Sequence, residues 1–217
     1  KTLVTYLCGE FTIGGNNPDF ISVKDAAEAI TTTGVSCPVV FRIRNGTYTD
    51  QVEIGNVPGS GPVNTITFES ESGDSSKVMI RYSSEDEDKD FSLGLTGSSF
   101  LKFRKLSISR INGNSGLRLS GGTRNLLISN CDLGNILFLG SGNDSIVSFR
   151  NNKIGSISVN GLTEFPVRRL NIACNQFSLK NSAGLISRAV VLQGCRNSRL
   201  DSNVILSEYN QQVFEPQ

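Results

Sequence analysis

The sequence predicts an all-β solenoid, a parallel β-helix of about seven coils with one capping helix at its N-terminal end. Three observations predict it. Five segments of the second half superpose without a gap, starting at Leu101, Leu126, Val147, Leu170 and Ser198, with separations of 25, 21, 23 and 28 residues. Each segment repeats two apolar columns, Phe103, Ile128, Phe149, Ile172 and Leu200, then Ile108, Leu133, Ile154, Phe177 and Ile205. Between those columns runs a third, Leu106, Cys131, Asn152, Asn175 and Asn203. A loose period in this range marks repeats that bury their apolar face only against their neighbours.

Taken in order, residues 5–18 form an extended run that ends in a turn cluster, Gly14-Gly15-Asn16-Asn17-Pro18. Ser22 then opens a helix. Asp25, three residues on, completes a variant capping box, Val23, Ala26, Ala27 and Ile30 share one face, and Gly34 ends it. A helix here closes a solenoid end that would otherwise expose core and strand edges. Strands follow from Val39, with Asn45-Gly46 as a turn, and Tyr48–Ile54 alternates apolar and polar residues as a second strand. Phe41 and Ile43 are echoed by Ile66 and Phe68, and Ile66 to Leu101 spans 35 residues, one coil plus an insertion. The insertion is Ser83–Asp90, too charged for a core and read as a solvated loop. Its carboxylates are the one weak pointer to calcium, without EF-hand spacing; no other cofactor is indicated.

Additional short strands fall at 116–119, 135–139, 157–159 and 189–193. Several strands per repeat favour a β-helix over a leucine-rich repeat, which has one strand followed by a helical segment. Asn152, Asn175 and Asn203 at one coil position predict an inward ladder bonded along the coil axis, the alternative being solvent-facing turn asparagines.

There are 217 residues, five cysteines and no histidine or tryptophan. Ser-His and Cys-His nucleophilic chemistry is therefore excluded within this chain. An odd cysteine count leaves at least one thiol unpaired, and no C-x-x-C motif supports zinc. Cys131 and Cys174 lie inside repeats and read as small buried hydrophobes. No run of 18 apolar residues predicts a membrane span. The chain opens at Lys1 without methionine, which reads as a processed or partial chain, and no helix closes its end at Ser207–Gln217. These features lead to an expectation of further domains. The net charge of +1 hides a division: residues 1–100 carry net −7 and residues 101–217 net +8. The basic half predicts a face for an anionic partner, or simply a differently solvated end.

The stretches Asp25-Ala-Ala-Glu28-Ala-Ile30, Val39-Val-Phe41-Arg-Ile43, Gly46-Thr-Tyr48-Thr-Asp50-Gln-Val52-Glu-Ile54 and Ile66-Thr-Phe68 resemble the opening of the pectin-lyase-like superfamily. The likeness is to its pectin-methylesterase-like and large secreted bacterial β-helix members, and covers about residues 8–80 by motif and 99–207 by repeat. The resemblance implies a right-handed parallel β-helix. It does not carry the activity, because one fold hosts many functions. Pectin methylesterases use two aspartates and an arginine on consecutive coils within an R-D-F-I-F-G-like stretch, which is absent; Asp19-Phe20-Ile21 matches part of it, ahead of the helix. Pectate lyases use an R-x-P-x-x-R stretch; Glu164-Phe-Pro166-Val-Arg168-Arg169 keeps the proline and the last arginine. Asp132, Asp144 and Asp201 are scattered where hydrolysis needs converged carboxylates.

One column predicts binding. Two positions before each anchor stand Ser99, Arg124, Ser145, Arg168 and Arg196, with Arg169 and Arg199 close by. Stacked a strand spacing of ~4.8 Å apart, such arginines suit carboxylates or sulfates along an acidic polysaccharide. The alternative is that they only solvate the coils. Few aromatics lie outside the core pattern, so nucleic acid is not favoured. The reading is a non-catalytic module of a secreted or cell-surface bacterial protein, binding polysaccharide or serving as adhesin or stalk. The alternative is an enzyme on acidic polysaccharide, a lyase or carbohydrate esterase.

Overall fold

Period-two alternation gives each strand one inward and one outward face, and the chain turns a corner each time a strand ends. The computed structural model describes residues 6–111, 116–139, 144–160, 166–180 and 188–208. They form a right-handed parallel β-helix with three sheets. Sheet A stacks Leu7–Ile13, Val35–Ile43, Ile66–Ser70, Leu101–Arg104, Arg124–Ser129, Ser145–Arg150 and Val167–Ala173, followed by Cys195–Arg196 and Arg199–Asp201. Sheet B stacks Gly46–Tyr48, Val78–Tyr82, Ser107–Arg110, Asp132–Leu133, Lys153–Ile154, Gln176–Lys180 and Val204–Glu208. Sheet C stacks Val52–Ile54, Leu93–Thr96, Leu117–Ser120, Ile136–Leu139, Ile157–Asn160 and Val190–Gln193. All pairings shown between neighbouring strands are parallel, and each coil runs from A through B to C.

The predicted anchor columns lie in register. Phe68, Phe103, Ile128, Phe149, Ile172 and Leu200 follow one another on sheet A, and all but Leu200 are fully buried. Ile108, Leu133, Ile154, Phe177 and Ile205 do the same on sheet B. Burying one such side chain contributes about 1.5–3 kcal/mol, so each buried column stabilises the stack of coils. In the first coils it is aromatic: the Phe41 and Phe68 rings stack at 4.6 Å and those of Phe68 and Phe103 at 5.3 Å.

The helix (α1, Val23–Thr33) caps the first coils as predicted. The Ser22 side chain accepts from the Asp25 amide, the Asp25 carboxylate accepts from the Ser22 amide, and Val23, Ala26, Ala27 and Ile30 are buried. Cys8 and Cys37 form a disulfide that ties the two strands flanking the helix. A secreted setting accommodates such a bond.

Four expectations are corrected. Phe41 faces Phe68 and Val39 faces Ile66, a repeat of 27 residues rather than 25 at this point. A shift of two leaves the alternation unchanged, so hydrophobicity alone could not set it. Tyr48–Ile54 is not one strand: Gly46–Tyr48 belongs to sheet B and Val52–Ile54 to sheet C, because alternation continues across the corner. Leu7–Ile13 extends sheet A by one strand before the helix. Cys131 is buried, but Cys174 is exposed, because it occupies the corner rather than the ladder.

Those corners repeat one geometry. Lys105, Asn130, Asn151, Cys174 and Ser202 adopt φ of 54°, 55°, 55°, 56° and 51°, and each is followed by a ladder residue. The asparagine ladder is inward and bonded. The Asn152 amide nitrogen Nδ2 and backbone N–H both donate to Asn175 Oδ1 at 3.0 Å. Asn175 does the same to Asn203 Oδ1, at 3.1 and 2.9 Å. Nδ2 of Asn152, Asn175 and Asn203 also donates to the carbonyls of Ile128, Phe149 and Ile172. Cys131 heads the ladder, its N–H donating to Asn152 Oδ1 at 2.9 Å. At the last coil Leu200, Val204, Ile205 and Leu206 are about half exposed. The tail at 209–217 and Glu164 of the Pro166 stretch lie outside the described residues.

Candidate anion-binding face

The outer face of sheet A carries three columns, and their register decides what each arginine does. In the first coils Arg42 and Arg44 are neutralised. Arg42 stands between Glu10 and Glu69: its Nη2 donates to Glu10 Oε1 at 3.1 Å, and its Nη1 pairs with Glu69. Donating to the Glu10 carboxylate raises the Arg42 pKa against the opposing effect of burial. Arg44 approaches Glu71 at 3.6 Å. Glu10, Arg42 and Glu69 bring two carboxylates and an arginine together, but both carboxylates are engaged by the guanidinium.

In the later coils the predicted column is in register. Ser99 bridges to Arg124, Arg124 pairs with Ser145, Ser145 with Arg168, and Arg168 with Arg196. All three arginines are exposed, and none makes an ion pair with another described residue. Arg168 and Arg196 are direct neighbours, and like charges opposite one another on a sheet are unfavourable. Such a pair is relieved by an external anion, to which guanidinium offers bidentate bonds. Arg169 is exposed at φ 54° and lies just off the column. Its position belongs to a second left-handed series, Phe100, Asn125, Ile146, Arg169 and Asn197, one residue after the column.

Arg199 lies close to the arginine column, as the sequence suggests, but outside it. It stands one column over, opposite Asn171, and its Nη2 donates to Asp201 Oδ2 at 2.6 Å. Hydrogen bonds from Ser202 and then Arg199 lower the Asp201 pKa. Arg150 was not singled out from the sequence. It lies three residues after its anchor in the column Arg104, Ser129, Arg150, Ala173 and Asp201, a signal visible at the same period.

The scattered aspartates do not converge. Asp132 is on sheet B between Ser107 and Lys153. Asp201 is on sheet A. Asp144 is buried just inside the arginine column, where its Oδ1 accepts from the Thr123 N–H at 2.6 Å. Its Oδ2 has no partner among the described residues, and burial pushes its pKa up to about 6 despite bonds from Thr123 and Gly122 and the nearby Arg124. Asp19 accepts from the Thr12 N–H and hydroxyl, which lowers its pKa, while Phe20 packs against Phe11 and Phe41. That stretch is structural.

The acidic insertion folds on itself. Asp86 accepts from the Asp88 N–H at 3.0 Å and pairs with Lys89 at 3.2 Å, and Asp90 accepts from the Ser84 N–H at 3.0 Å. Among the described residues no three His, Cys, Asp or Glu side chains are grouped to hold a metal ion.

No protein-family model matches the chain, and no curated protein matches it in sequence. Solved structures match its fold. YbhC from Escherichia coli superposes with a TM-score of 0.61 at 12% identity, over 99% of this chain and 70% of that one. A pectin methylesterase in complex with a hexasaccharide matches at 0.52 and 12% identity, over 95% of this chain and 67% of that one. A point mutant of a pectin methylesterase in complex with a hexasaccharide matches at 0.52 and 14%, over the same shares. The shared property is the fold, a right-handed parallel β-helix.

Proposed function

We propose that this chain is a non-catalytic β-helix module that binds acidic polysaccharide through the outer face of sheet A. The observation that carries this reading is the exposed column Arg124, Arg168 and Arg196, in register and without an ion pair to a described carboxylate, Asp144 beside Arg124 being buried and bonded to the Thr123 N–H. A polymer with an acidic group on successive sugars can follow a row of guanidinium groups along the coil axis. The Cys8–Cys37 disulfide supports a secreted or cell-surface setting, where the module acts as adhesin or stalk. No bound calcium or other cofactor is part of this reading.

Retention on immobilised polygalacturonate at low salt tests it. The wild type is retained and released by salt, because surface charge is screened within about 8 Å at physiological ionic strength. Arg124→Ala/Arg168→Ala/Arg196→Ala loses retention, whereas Arg42→Ala, which removes an already neutralised charge, keeps it. A wild type that flows through at low salt ends the proposal.

A second reading, an esterase or lyase on acidic polysaccharide, has one observation in its favour. Structures of this fold include pectin methylesterases in complex with hexasaccharides. Methanol release from esterified pectin and unsaturated-product absorbance, each with and without calcium, separate the two. Turnover of any glycan overturns the non-catalytic module.

A further inference from the structure

Below the arginine column the same sheet is notched. Arg150, Ala173 and Asp201 occupy one outward column on three successive strands, and Ser148, Asn171 and Arg199 occupy the next. Ala173 is the smallest side chain of its column, so a hollow opens over it between Arg150 and Asp201. Those two are roughly 9–10 Å apart along the coil axis, two strand spacings. The cavity holds about 340 Å³, with Arg150, Asn171, Cys174, Arg199 and Asp201 around Ala173. That is the small end of ligand-pocket sizes, suited to one sugar unit.

The polar groups are of two kinds. Arg150 uses only its Nε internally, donating to Ser148 Oγ at 3.2 Å, which leaves its terminal nitrogens for a carboxylate. Arg199 and Asp201 bind each other, and Asp201 Oδ1 also accepts from the Ser202 hydroxyl at 3.1 Å. A carboxylate still has lone pairs for a ligand hydroxyl. Asn171 donates to Ser148 Oγ at 3.4 Å, leaving its Oδ1 as a second acceptor. With two arginines against one aspartate, the hollow carries one net positive charge.

We propose that this hollow is a subsite for a single uronate unit, its carboxylate on Arg150 and its hydroxyls on Asp201 and Asn171. It rests on the acidic-polysaccharide reading and narrows it: a multiply sulfated unit would set its second anion against Asp201. The arginine column then supplies long-range attraction, and the hollow selects the sugar.

Cys174, an exposed free thiol on the rim, reports occupancy without any mutation. Saturating trigalacturonate slows maleimide modification of Cys174 in the wild-type chain several-fold, read by peptide mass mapping. Ala173→Leu fills the hollow without changing charge and removes both protection and trigalacturonate binding. Arg150→Ala weakens that binding by about tenfold or more, the scale of lost charge-assisted hydrogen bonds. Absence of protection in the wild type, with polygalacturonate retention intact, overturns the hollow and leaves the column. Protection that survives Ala173→Leu overturns it as well, and equal protection by a heparin-derived trisaccharide overturns the uronate selectivity. Protection in a chain that polygalacturonate does not retain supports the hollow and sinks the column.

Discussion

The two halves of this β-helix solve the same stacking problem with different chemistry. Residues up to the third strand of sheet B are joined by stacked phenylalanines, a disulfide and a capping helix, and Arg42 and Arg44 are matched by glutamates of neighbouring coils. The later coils replace the aromatic stack with Ile128, Phe149 and Ile172, add the asparagine ladder, and leave Arg124, Arg168 and Arg196 without an ion pair to another described residue. The difference teaches that an arginine's role on a β-helix is set by what lies one coil above and below it. Arg42 and Arg168 both face outward on sheet A. One pairs with glutamates of neighbouring coils, and the other is exposed without an ion pair to another described residue.

The largest expected effect lies in the later coils. Asn175→Ala removes the bonds to Asn203 and Phe149 and strands the Asn152 amide inside the turn. Several buried groups lose partners at about 1–3 kcal/mol each, so denaturant unfolding shows a loss of roughly 3–5 kcal/mol. A loss below about 1 kcal/mol would mean that the ladder decorates the coils instead of joining them.

Reduction of Cys8–Cys37 is the matching test of the first half. The cystine closes a 29-residue separation, which corresponds to roughly 3–4 kcal/mol in the chain-entropy account. Hydrogen exchange should then rise first in Leu7–Ile13 and α1, while the ladder strands keep their protection. Uniform loss of protection along the axis would show that the two halves melt as one unit.

Asp144 sharpens the comparison through pH. Its folded pKa is raised from 3.8 to about 6 by burial, so the native state prefers it protonated. Its stabilising contribution is complete below the unfolded value and is lost as pH rises through about 6. Between pH 4 and 7 wild-type stability therefore falls by roughly 2–3 kcal/mol from this group, and Asp144→Asn flattens the profile. Asp19, Asp74, Asp86 and Asp201 have lowered pKa values and act with the opposite sign at lower pH, where their contribution is lost as pH falls. A wild-type curve that rises from pH 4 to 7 and is unchanged by Asp144→Asn would remove Asp144 from the account.

The smallest effect is at Ile146, a β-branched residue held at φ 57° in the left-handed series after the arginine column. Asn125 and Asn197 occupy equivalent positions at φ 50° and 53°. Ile146→Asn should raise stability by about 1 kcal/mol, since asparagine tolerates this region and a β-branched side chain does not. A drop in Tm would mean that the half-exposed Ile146 side chain contributes packing that outweighs its backbone strain.

Much of the fold was legible because a parallel solenoid writes its register into sequence period. Phe103, Ile128, Phe149 and Ile172 could be aligned by counting, and the asparagines between them predicted their own bonds. Counting failed where a shift of two preserves alternation, at Phe41 and Phe68, and where alternation runs through a corner, at Tyr48 and Val52. The arginine column was legible for the same reason. Arg150, Ala173 and Asp201 were not, because a hollow is defined by a small residue between large ones on strands 23 and 28 residues apart.

By itself the sequence determined the β-helix, its capping helix, the inward ladder and the row of arginines, since each depends on local period and on residue type. Only the tertiary structure decided which arginines are already neutralised, which cysteines are joined, that Asp144 is buried, and that a cavity opens over Ala173. Those properties depend on distances between coils, and the side chains that set them are adjacent in space but one whole turn apart along the chain.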